Sequence, residues 1–517
     1  MPWLVALALF MPMLSGTILN TALPGIGRAL NVSTFRMHLA IVAYMLVTAM
    51  LVPVSGWLAE RWGTRRTFCL GIACYTSGAV LCSMSNSLEF LVFGRAVQGL
   101  GGAVIAPVGR LIILKAYPRD EFVRLLSFIT LPGMLGPLLG PATGGFLVQY
   151  LSWHWIFLIN VPLGVLGVVL SWIFIPEMVE KEVGRFDLSG FLLFSSSIVL
   201  LSLGMEGFGM LHRPRIEAAS LCVVGLLLMT AYWLRDDHGK QMLFSRRIFA
   251  TRSFSIGILG SLFARFSAGA VPFLNPMFLQ LGLGFPPFQA GLFMMPIAFG
   301  ALFSRGVITI LVKKLGFRAV LIYNTLLLGS VICSFSLITP NTPAVLQLLQ
   351  LACLGTVNSI QFMTMNSFTL IELPPKDTAS GNSLLSVSMQ ISLSMGVTVA
   401  ATLLGGFTSY YTGGQGPARG ETLIQVFHST FIVIGLMAVV ASCIFSWANP
   451  ELGKNDRRRD KATGTANLEG RKKSGMFRAV LIILIIILLL VGIAACYFAL
   501  CQLGILTFPN WYYRNFL

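Results

Sequence analysis

The sequence predicts an all-α polytopic membrane protein. Hydrophobic residues make up 56% of the 517-residue chain and charged residues only 11%, which leaves more apolar surface than a water-soluble domain can bury. The apolar runs are continuous and of helix length, whereas the strands of a membrane β-barrel would be short and would alternate between apolar and polar residues. These observations exclude both a soluble domain and a barrel.

Fifteen apolar runs are long enough to cross a bilayer as helices, which takes about 18 residues or more. The first run has neither the charged start nor the small-residue exit of a signal peptide, so we expect it to be span one. Nine cysteines lie within or beside the runs without the spacing of metal ligands, so we expect no metal and no cofactor. In order, the predicted spans are residues 4–24, 38–58, 68–86, 89–110, 123–149, 154–175, 189–208, 218–234, 254–277, 289–311, 319–338, 344–370, 381–405, 424–447 and 478–502.

The distribution of lysine and arginine orients these spans. With the N-terminus in the cytoplasm, 26 of the 36 basic residues fall in cytoplasmic loops and six fall on the opposite side. Such an asymmetry is typical of inner-membrane proteins. We therefore expect a cytoplasmic N-terminus and a C-terminus on the opposite side after span fifteen. The same loops account for the net charge of +17 through contact with membrane lipids, so no nucleic acid is needed as a partner.

Two loops that lie eight spans apart share a basic-glycine-basic pattern. Arg61-Trp-Gly-Thr-Arg65 follows span two, and Lys314-Leu-Gly-Phe-Arg318 follows span ten. If spans seven and eight are an inserted pair, these loops occupy equivalent places in two halves formed by spans 1–6 and 9–14. Coincidence explains so short a repeat equally well. Repeated halves around a central site are a feature of alternating-access transporters.

Four stretches, in order along the chain, carry a family resemblance. They are the loop from Gly56 to Arg66, RAVQGLGGA from Arg95 to Ala103, GMLGPLLGPATGG from Gly133 to Gly145, and WHWIFLINVPLG from Trp153 to Gly164. Together they resemble the major facilitator superfamily, and within it the fourteen-span drug:proton antiporter branch of multidrug transporters, over about residues 4–450. The resemblance implies a major facilitator fold with two six-helix bundles and an inserted helix pair, to which this chain adds one C-terminal helix.

The resemblance and the order of the spans divide the chain into five parts. We expect an N-terminal six-helix bundle at 1–176, an inserted two-helix linker at 177–253 and a C-terminal six-helix bundle at 254–450. A basic cytoplasmic linker at 451–477 and an extra transmembrane helix with its tail at 478–517 follow. The implied location is the bacterial inner (plasma) membrane.

The stretch in span five places helix-breaking residues inside an apolar span. Its glycines recur three to four residues apart and so share a helical face, where small residues let a neighbouring backbone approach closely. Two prolines bend the helix, and neighbouring helices can satisfy the freed carbonyls. We expect this face to be an antiporter seam that seals and slides between two states, although ordinary helix packing explains the glycines equally well. The seam residues are Gly133, Gly136, Pro137, Gly140, Pro141, Gly144 and Gly145.

The loop between spans two and three predicts a conformational lock. Glu60 stands where the family usually has aspartate, and we expect it to meet a basic residue or a helix N-terminus of the other half in only one conformation. The neighbouring arginines also serve as plain orientation charges. The lock residues are Gly56, Glu60, Arg61, Gly63, Arg65 and Arg66.

The usual intramembrane acid of the family is missing from span one. Where the family pattern has Leu-Asp-x-Thr, this chain has Leu14-Ser15-Gly-Thr17, and serine does not titrate at physiological pH. Arg95 and Arg265, by contrast, lie deep within spans, where an unpaired charge is costly. With no acid at that depth, we expect the partner to be an anionic or zwitterionic substrate.

Other polar residues in the spans are candidates for contacts with substrate. Each of them also suits a hydrogen bond between helices. The candidates are Asn20, Gln98, Asn275, Asn358, Gln361, Asn366, Asn382 and Gln390.

Three functions remain open at this stage, and no enzyme motif is present. The first is a monomeric secondary active exporter of small amphipathic molecules, which works by alternating access and is coupled to protons by family inference. The second is an exporter or uniporter of an anionic metabolite or siderophore that lacks the usual proton site. The third is a transporter-derived membrane scaffold or sensor, with the C-terminal helix as the element that contacts a partner.

Overall fold

A computed structural model describes residues 1–117, 119–179, 184, 186–209, 215–235, 244, 246–374, 377–414, 416–449 and 452. These residues form helices joined by short loops, and no β-strand occurs among them. The predicted linker at 451–477, apart from Leu452, and the predicted fifteenth span at 478–502 lie outside the described residues.

Fourteen helices in this part of the chain are long enough to cross a membrane. Twelve of the spans also meet a hydropathy threshold for crossing. The helices are α1 (Pro2–Ala29), α2 (His38–Trp62), α3 (Thr64–Ser83), α4 (Leu88–Ala116), α5 (Arg119–Tyr150), α6 (Trp155–Phe174), α7 (Leu188–Gly209), α8 (Arg215–Leu234), α9 (Arg252–Met277), α10 (287–315), α11 (317–334), α12 (Ala344–Leu370), α13 (Thr378–Thr412) and α14 (Glu421–Ala441).

The last two spans before α12 form one helical run, Pro287–Ser334, that is interrupted at Gly316. Gly316 has φ 82° and ψ 162°, a conformation that is essentially open only to glycine. Gly63, between α2 and α3, has nearly the same conformation, with φ 92° and ψ 150°. After each glycine, the next residue donates its N–H to a backbone carbonyl: Thr64 to Met178 at 3.2 Å, and Phe317 to Leu452 at 3.0 Å. The two basic-glycine-basic loops are therefore equivalent in backbone conformation as well as in sequence.

The contacts made among α1–α6 have counterparts among α9–α14. Among α1–α6, the main contacts join α1 to α5, and α4 to both α2 and α3. Among α9–α14, they join the α10–α11 run to α12 and α14, and α9 to α13. The helices α7 and α8 pack on each other, and α7 also contacts α2 and α13.

The buried apolar residues are arranged differently on the two faces of the molecule. We call the face where α1 begins the N side and the face where α1 ends the far side. On the far side, one apolar core includes residues from both α1–α6 and α9–α14, such as Ile18, Ile41, Leu274 and Leu404. On the N side, α1–α6 and α9–α14 have separate cores. A fourth core attaches α7 and α8 to α2 and α13.

Candidate functional site

Arg95 on α4 is buried and has partners within the protein. Its side chain is 2% exposed. Its Nε donates to the Ala40 carbonyl of α2 at 3.0 Å, and one terminal nitrogen donates to Gln98 Oε1 at 2.6 Å. The guanidinium carbon lies 4.5 Å from the centre of the Tyr44 ring. Backbone, amide and aromatic groups thus already stabilise the charge of Arg95, so it does not need the substrate as a partner.

Arg265 on α9 is equally buried but only partly satisfied. One terminal nitrogen donates to Asn366 Oδ1 on α12 at 2.7 Å, and the guanidinium lies 4.3 Å from the Phe362 ring centre. Its Nε and its other terminal nitrogen are buried with no hydrogen-bond partner among the described residues. Sequence reasoning named Arg265 and Asn366 separately, and the structure brings them together. Since buried donors are rarely left without acceptors, this guanidinium is suited to a ligand that carries an acceptor or a negative charge.

Gln361, another candidate, belongs to a network between helices. Its Oε1 accepts a hydrogen bond from Asn324 at 2.9 Å, and its Nε2 donates to Thr325 at 2.7 Å. The amide of Asn324 also donates to the Val357 carbonyl at 3.0 Å. Both Asn324 and Thr325 lie on α11, so Gln361 joins α11 to α12. The structural alternative therefore describes Gln361 better than substrate contact does.

The remaining polar candidates stand apart from these contacts. Ser15 is 1% exposed on α1, and its hydroxyl has no hydrogen-bond partner in the described part of the chain. Asn20 and Asn358 are half-buried. Of the predicted substrate residues, the structure thus pairs Gln98 with Arg95 and Asn366 with Arg265, places Gln361 in a separate network, and leaves Ser15, Asn20 and Asn358 outside these contacts.

The glycines of α5 face two different helices. An added Cβ at Gly136, Gly140 or Gly144 would meet α1, at Met13, Thr17 or Ile18, within the same bundle. The Thr17 hydroxyl also donates to the Gly136 carbonyl at 3.0 Å. This arrangement differs from a single seam between the halves, because one helical face can serve only the helix that lies against it.

The contact between the halves uses the far end of α5. A Cβ at Gly145 would meet the Pro287 carbonyl of α10, and a Cβ at Gly291 would meet the Pro141 carbonyl. The amide oxygen of Gln149 accepts the Phe288 N–H at 3.0 Å. The Phe146 ring packs edge-on against Phe288, 5.9 Å between centres. Pro137 is exposed, and the surroundings of Gly133 lie outside the described side chains.

The lock loop has a partner that sequence reasoning missed. Glu177, which follows α6, lies 3.3 Å from Arg65 Nε and 3.6 Å from Arg66 Nε. It also contacts Gly63, whose missing side chain makes room for the carboxylate. Glu60 forms no ion pair with any described residue, and Glu177 lies on the same bundle as the loop. The acid that contacts the loop arginines is therefore Glu177. The sequence had predicted Glu60 in contact with the other half.

A repeated tripeptide could have identified Glu177. Pro176-Glu177-Met178 follows α6, and Pro450-Glu451-Leu452 follows α14. The carbonyls of Met178 and Leu452 accept the two equivalent loop hydrogen bonds. The sequence repeat therefore includes the segments after α6 and α14 that hydrogen-bond the two loops. The two short loops alone could not indicate this.

Comparison with known proteins agrees with this geometry. The model of the Major Facilitator Superfamily matches residues 5–397. A protein named MdtD from Pectobacterium atrosepticum, to which multidrug resistance is provisionally assigned, is 43% identical over 438 residues, which cover 85% of this chain and 94% of that protein. MdtD from Serratia proteamaculans is 40% identical over 437 residues, which cover 84% and 91%.

Solved transporters share the fold at low sequence identity. A POT family transporter in complex with a thioalcohol-conjugated peptide has a TM-score of 0.64 at 18% identity, and the match covers 86% of this chain and 95% of that one. The nucleoside transporter NupG has a TM-score of 0.56 at 14% identity, with 86% and 97% covered. The helix-only architecture, the family match and the relatives lead to one conclusion: this chain is a multi-pass membrane transporter that belongs to the major facilitator superfamily.

Proposed function

We propose that the protein is a secondary active exporter of small amphipathic molecules of the multidrug type, which works by alternating access and is driven by protons. The multidrug resistance assigned to its relatives supports the substrate class. The N side is then the cytoplasmic side, in agreement with the distribution of basic residues. In this proposal, 1–176 and 254–450 are the moving bundles and 177–253 is an insertion.

One observation of the fold carries the alternating-access part of the proposal. The two repeated units share an apolar core on the far side and have separate cores on the N side, apart from the core around α7 and α8, which includes Ala49 of α2 and Val387 of α13. Such an arrangement suits a transporter that is closed on the far side and gives access from the N side. In the opposite state, the contact of α5 with α10 would open and the N-side ends would approach each other.

Transport by purified full-length protein in liposomes tests this function. Ethidium serves as a lipophilic cationic probe, and its fluorescence reports its movement with and without an imposed pH gradient. With the gradient imposed, we expect the initial rate in liposomes that contain the protein to be at least fivefold higher than the rate in liposomes without protein. A rate that is the same with and without protein, for ethidium and for neutral and anionic probes, would contradict a transport function.

A specific observation favours a second substrate class. The buried Nε and one terminal nitrogen of Arg265 lack hydrogen-bond partners in the described residues, so a bound anion would satisfy donors that the protein leaves open. We propose that organic anions or zwitterions bind beside Arg265 and Asn366. The alternative of an anionic metabolite exporter rests on this site.

Matched probes of opposite charge distinguish the two classes. We expect Arg265→Gln to weaken binding of fluorescein at least tenfold and to leave ethidium binding within twofold, as measured by fluorescence anisotropy on purified protein. Arg36→Gln, which removes an exposed charge, is the control. If Arg265→Gln weakens the binding of both probes equally, or changes the binding of neither probe, Arg265 has no direct role in selecting anions.

A further inference from the structure

Two titratable side chains that are 168 residues apart in sequence meet at the far side of the protein. His38 is the first residue of α2, and Glu206 lies one turn before the end of α7. His38 Nε2 lies 2.7 Å from Glu206 Oε2, and the two side chains are 7% and 12% exposed. The His38 ring also packs edge-on against Phe273 of α9, 6.4 Å between centres. The pair therefore joins the first bundle, the inserted helices and the second bundle.

The hydrogen-bond distances of His38 imply a proton between the two side chains. His38 Nδ1 lies 2.6 Å from the Phe35 carbonyl, which can only accept, so Nδ1 carries a hydrogen and donates it. The 2.7 Å contact between Nε2 and Oε2 then requires a second hydrogen, either on the imidazolium or on a protonated Glu206. Without that hydrogen, the lone pair of Nε2 would face a carboxylate at close range. The contact is stable only while one exchangeable proton lies between the two groups.

The charged and titratable groups described on neighbouring elements have other surroundings or partners. The preceding turn carries Arg36, which is exposed, and the first turn of α8 carries the exposed Glu217. On α4, Arg95 donates to the Ala40 carbonyl, and on α9, Arg265 donates to Asn366. On α13, the Tyr411 hydroxyl bonds Ser429. Among the described residues, none of these groups hydrogen-bonds or forms an ion pair with His38 or Glu206.

We infer that His38 and Glu206 form the site that carries the coupling proton in this transporter. This inference rests on the proposed function and gives it the titratable group that Ser15 cannot provide. The coupling acid is thus supplied by the inserted helix pair, whereas its usual position in the family is in α1.

The proton links the pair to the state of the far side. With the proton bound, the contact between α2 and α7 holds beside the shared far-side core that includes Phe273. When the far side is open, the separated groups, neutral His38 and the Glu206 carboxylate, take up one proton from the water of the far side. The proton re-forms the Nε2···Oε2 contact and the far side closes. The proton then leaves toward the N side once that side is open, so each cycle moves one proton from the far side to the N side while substrate moves in the opposite direction.

Glu206→Gln and His38→Asn test the inference with ethidium in proteoliposomes of the full-length protein. Two rates are measured for each variant: transport driven by a pH gradient, and counterflow exchange without a gradient. We expect both substitutions to reduce the gradient-driven rate at least tenfold and to leave counterflow within threefold of the unchanged protein. Counterflow also shows that each variant is folded.

Matched controls and a conservative variant complete the test. Glu89→Gln removes an exposed carboxylate, and His428→Asn removes a histidine whose Nε2 is hydrogen-bonded to the Ile338 carbonyl at 2.8 Å. Both should keep their gradient-driven rates, and Glu206→Asp should recover part of the coupling with an altered pH profile.

The possible failures point to different errors. If the unchanged protein is gradient-driven and Glu206→Gln remains so, the pair is structural and the inference is wrong while the proposed function stands. If the unchanged protein exchanges ethidium but ignores the gradient, proton coupling at this pair is wrong and transport stands. If no probe moves through the unchanged protein, the proposed function fails and the inference fails with it.

Discussion

At the residue scale, two buried arginines at similar depth differ in how the fold satisfies them. Arg95 donates to a carbonyl and an amide and packs on a tyrosine ring, whereas Arg265 keeps two donors without acceptors in the described residues. A buried charge is tolerated when neighbouring groups replace its hydration. Arg95 therefore has a structural role that joins α4 to α2, and Arg265 is the better candidate for contact with substrate.

Replacement of Arg95 should therefore destabilise the protein. Arg95→Ala leaves the Ala40 carbonyl and the Gln98 amide without partners, so we expect the free energy of unfolding to fall by about 2 kcal/mol. The stability of Arg95→Lys should lie between that of Arg95→Ala and that of the unchanged protein, because an ammonium cannot reproduce the geometry of the guanidinium. Denaturant titration in micelles gives these values. Unchanged stability of Arg95→Ala, together with lost ethidium binding, would return Arg95 to the substrate site.

At the element scale, one acidic residue connects the ends of two neighbouring helices, α7 and α8. Asp187 precedes α7, where its Oδ1 accepts the Gly190 N–H at 2.9 Å in the position of an N-cap. Arg235, after α8, forks onto both carboxylate oxygens at 3.0 and 3.3 Å. One acid thus caps α7 and fastens it to the end of α8, at the opposite end of the pair from Glu206.

The Asp187 clasp predicts a loss of stability in acid. Burial acts to raise the pKa of Asp187, but the hydrogen bonds from Arg235 and Gly190 outweigh it and hold the pKa below its usual value. A carboxyl group with a lowered folded-state pKa stabilises above the unfolded value, about pH 3.9, and loses that contribution as the pH falls through the folded value. The clasp is therefore fully present from pH 7 down to about pH 5.

The measurement compares Asp187→Asn with the unchanged protein. We expect the variant to have the lower thermal unfolding midpoint at pH 7 and the difference to shrink below about pH 4. Glu217→Gln, at the exposed start of α8, is the control and should show no such pattern. A difference that is constant from pH 7 to pH 3 would show that the charge of Asp187 does not matter.

The repeated glycine loops are the second feature at this scale. An alanine at Gly63 or Gly316 would occupy a backbone region that is costly for any residue with a Cβ, so we expect each substitution to cost about 1–3 kcal/mol of stability. Gly56→Ala, in the helical interior of α2 with open space around it, should be neutral or slightly stabilising. Thermal unfolding of the three variants checks this order, and a cost at Gly56 equal to that at Gly63 would contradict it.

At the scale of the whole molecule, the position of a glycine decides whether it supports a bundle or the contact between bundles. Gly140 lies against Thr17 of α1, within one bundle, and Gly145 lies against Pro287 of α10, in the other. A close backbone approach inside a bundle holds in every state. An approach between bundles holds only while the far side is closed.

Bulky substitutions at the two positions should have different consequences. Gly145→Leu should keep the fold and favour the far-side-open state, because the added side chain would meet the α10 backbone. Gly140→Leu should instead lower the thermal unfolding midpoint. Maleimide labelling of Phe288→Cys in a cysteine-free background reports far-side opening, and we expect at least a threefold faster reaction in Gly145→Leu than in Gly405→Leu, where space is open. Equal labelling rates would show that the α5–α10 contact does not move.

The sequence by itself determined the membrane location, the helical class and the family. Hydrophobic length is a local property, so fourteen of the fifteen predicted spans have counterparts in described helices. The motifs at 56–66 and 133–145 are also local, and they named the loop and the helix that contact Glu177 and α10. The spacing of the glycines does not predict which helix each of them packs against, since a glycine allows any neighbouring helix to approach closely.

Only the tertiary structure decided which of these residues act together. One partner of Arg95 is a carbonyl 55 residues away, Asn366 meets Arg265 across 101 residues, and His38 meets Glu206 across 168. In sequence, Glu206 is merely an acid at the end of a span, and His38 is one of five scattered histidines. A hydrogen bond depends on the distance between two atoms, and that distance is set by how the helices pack.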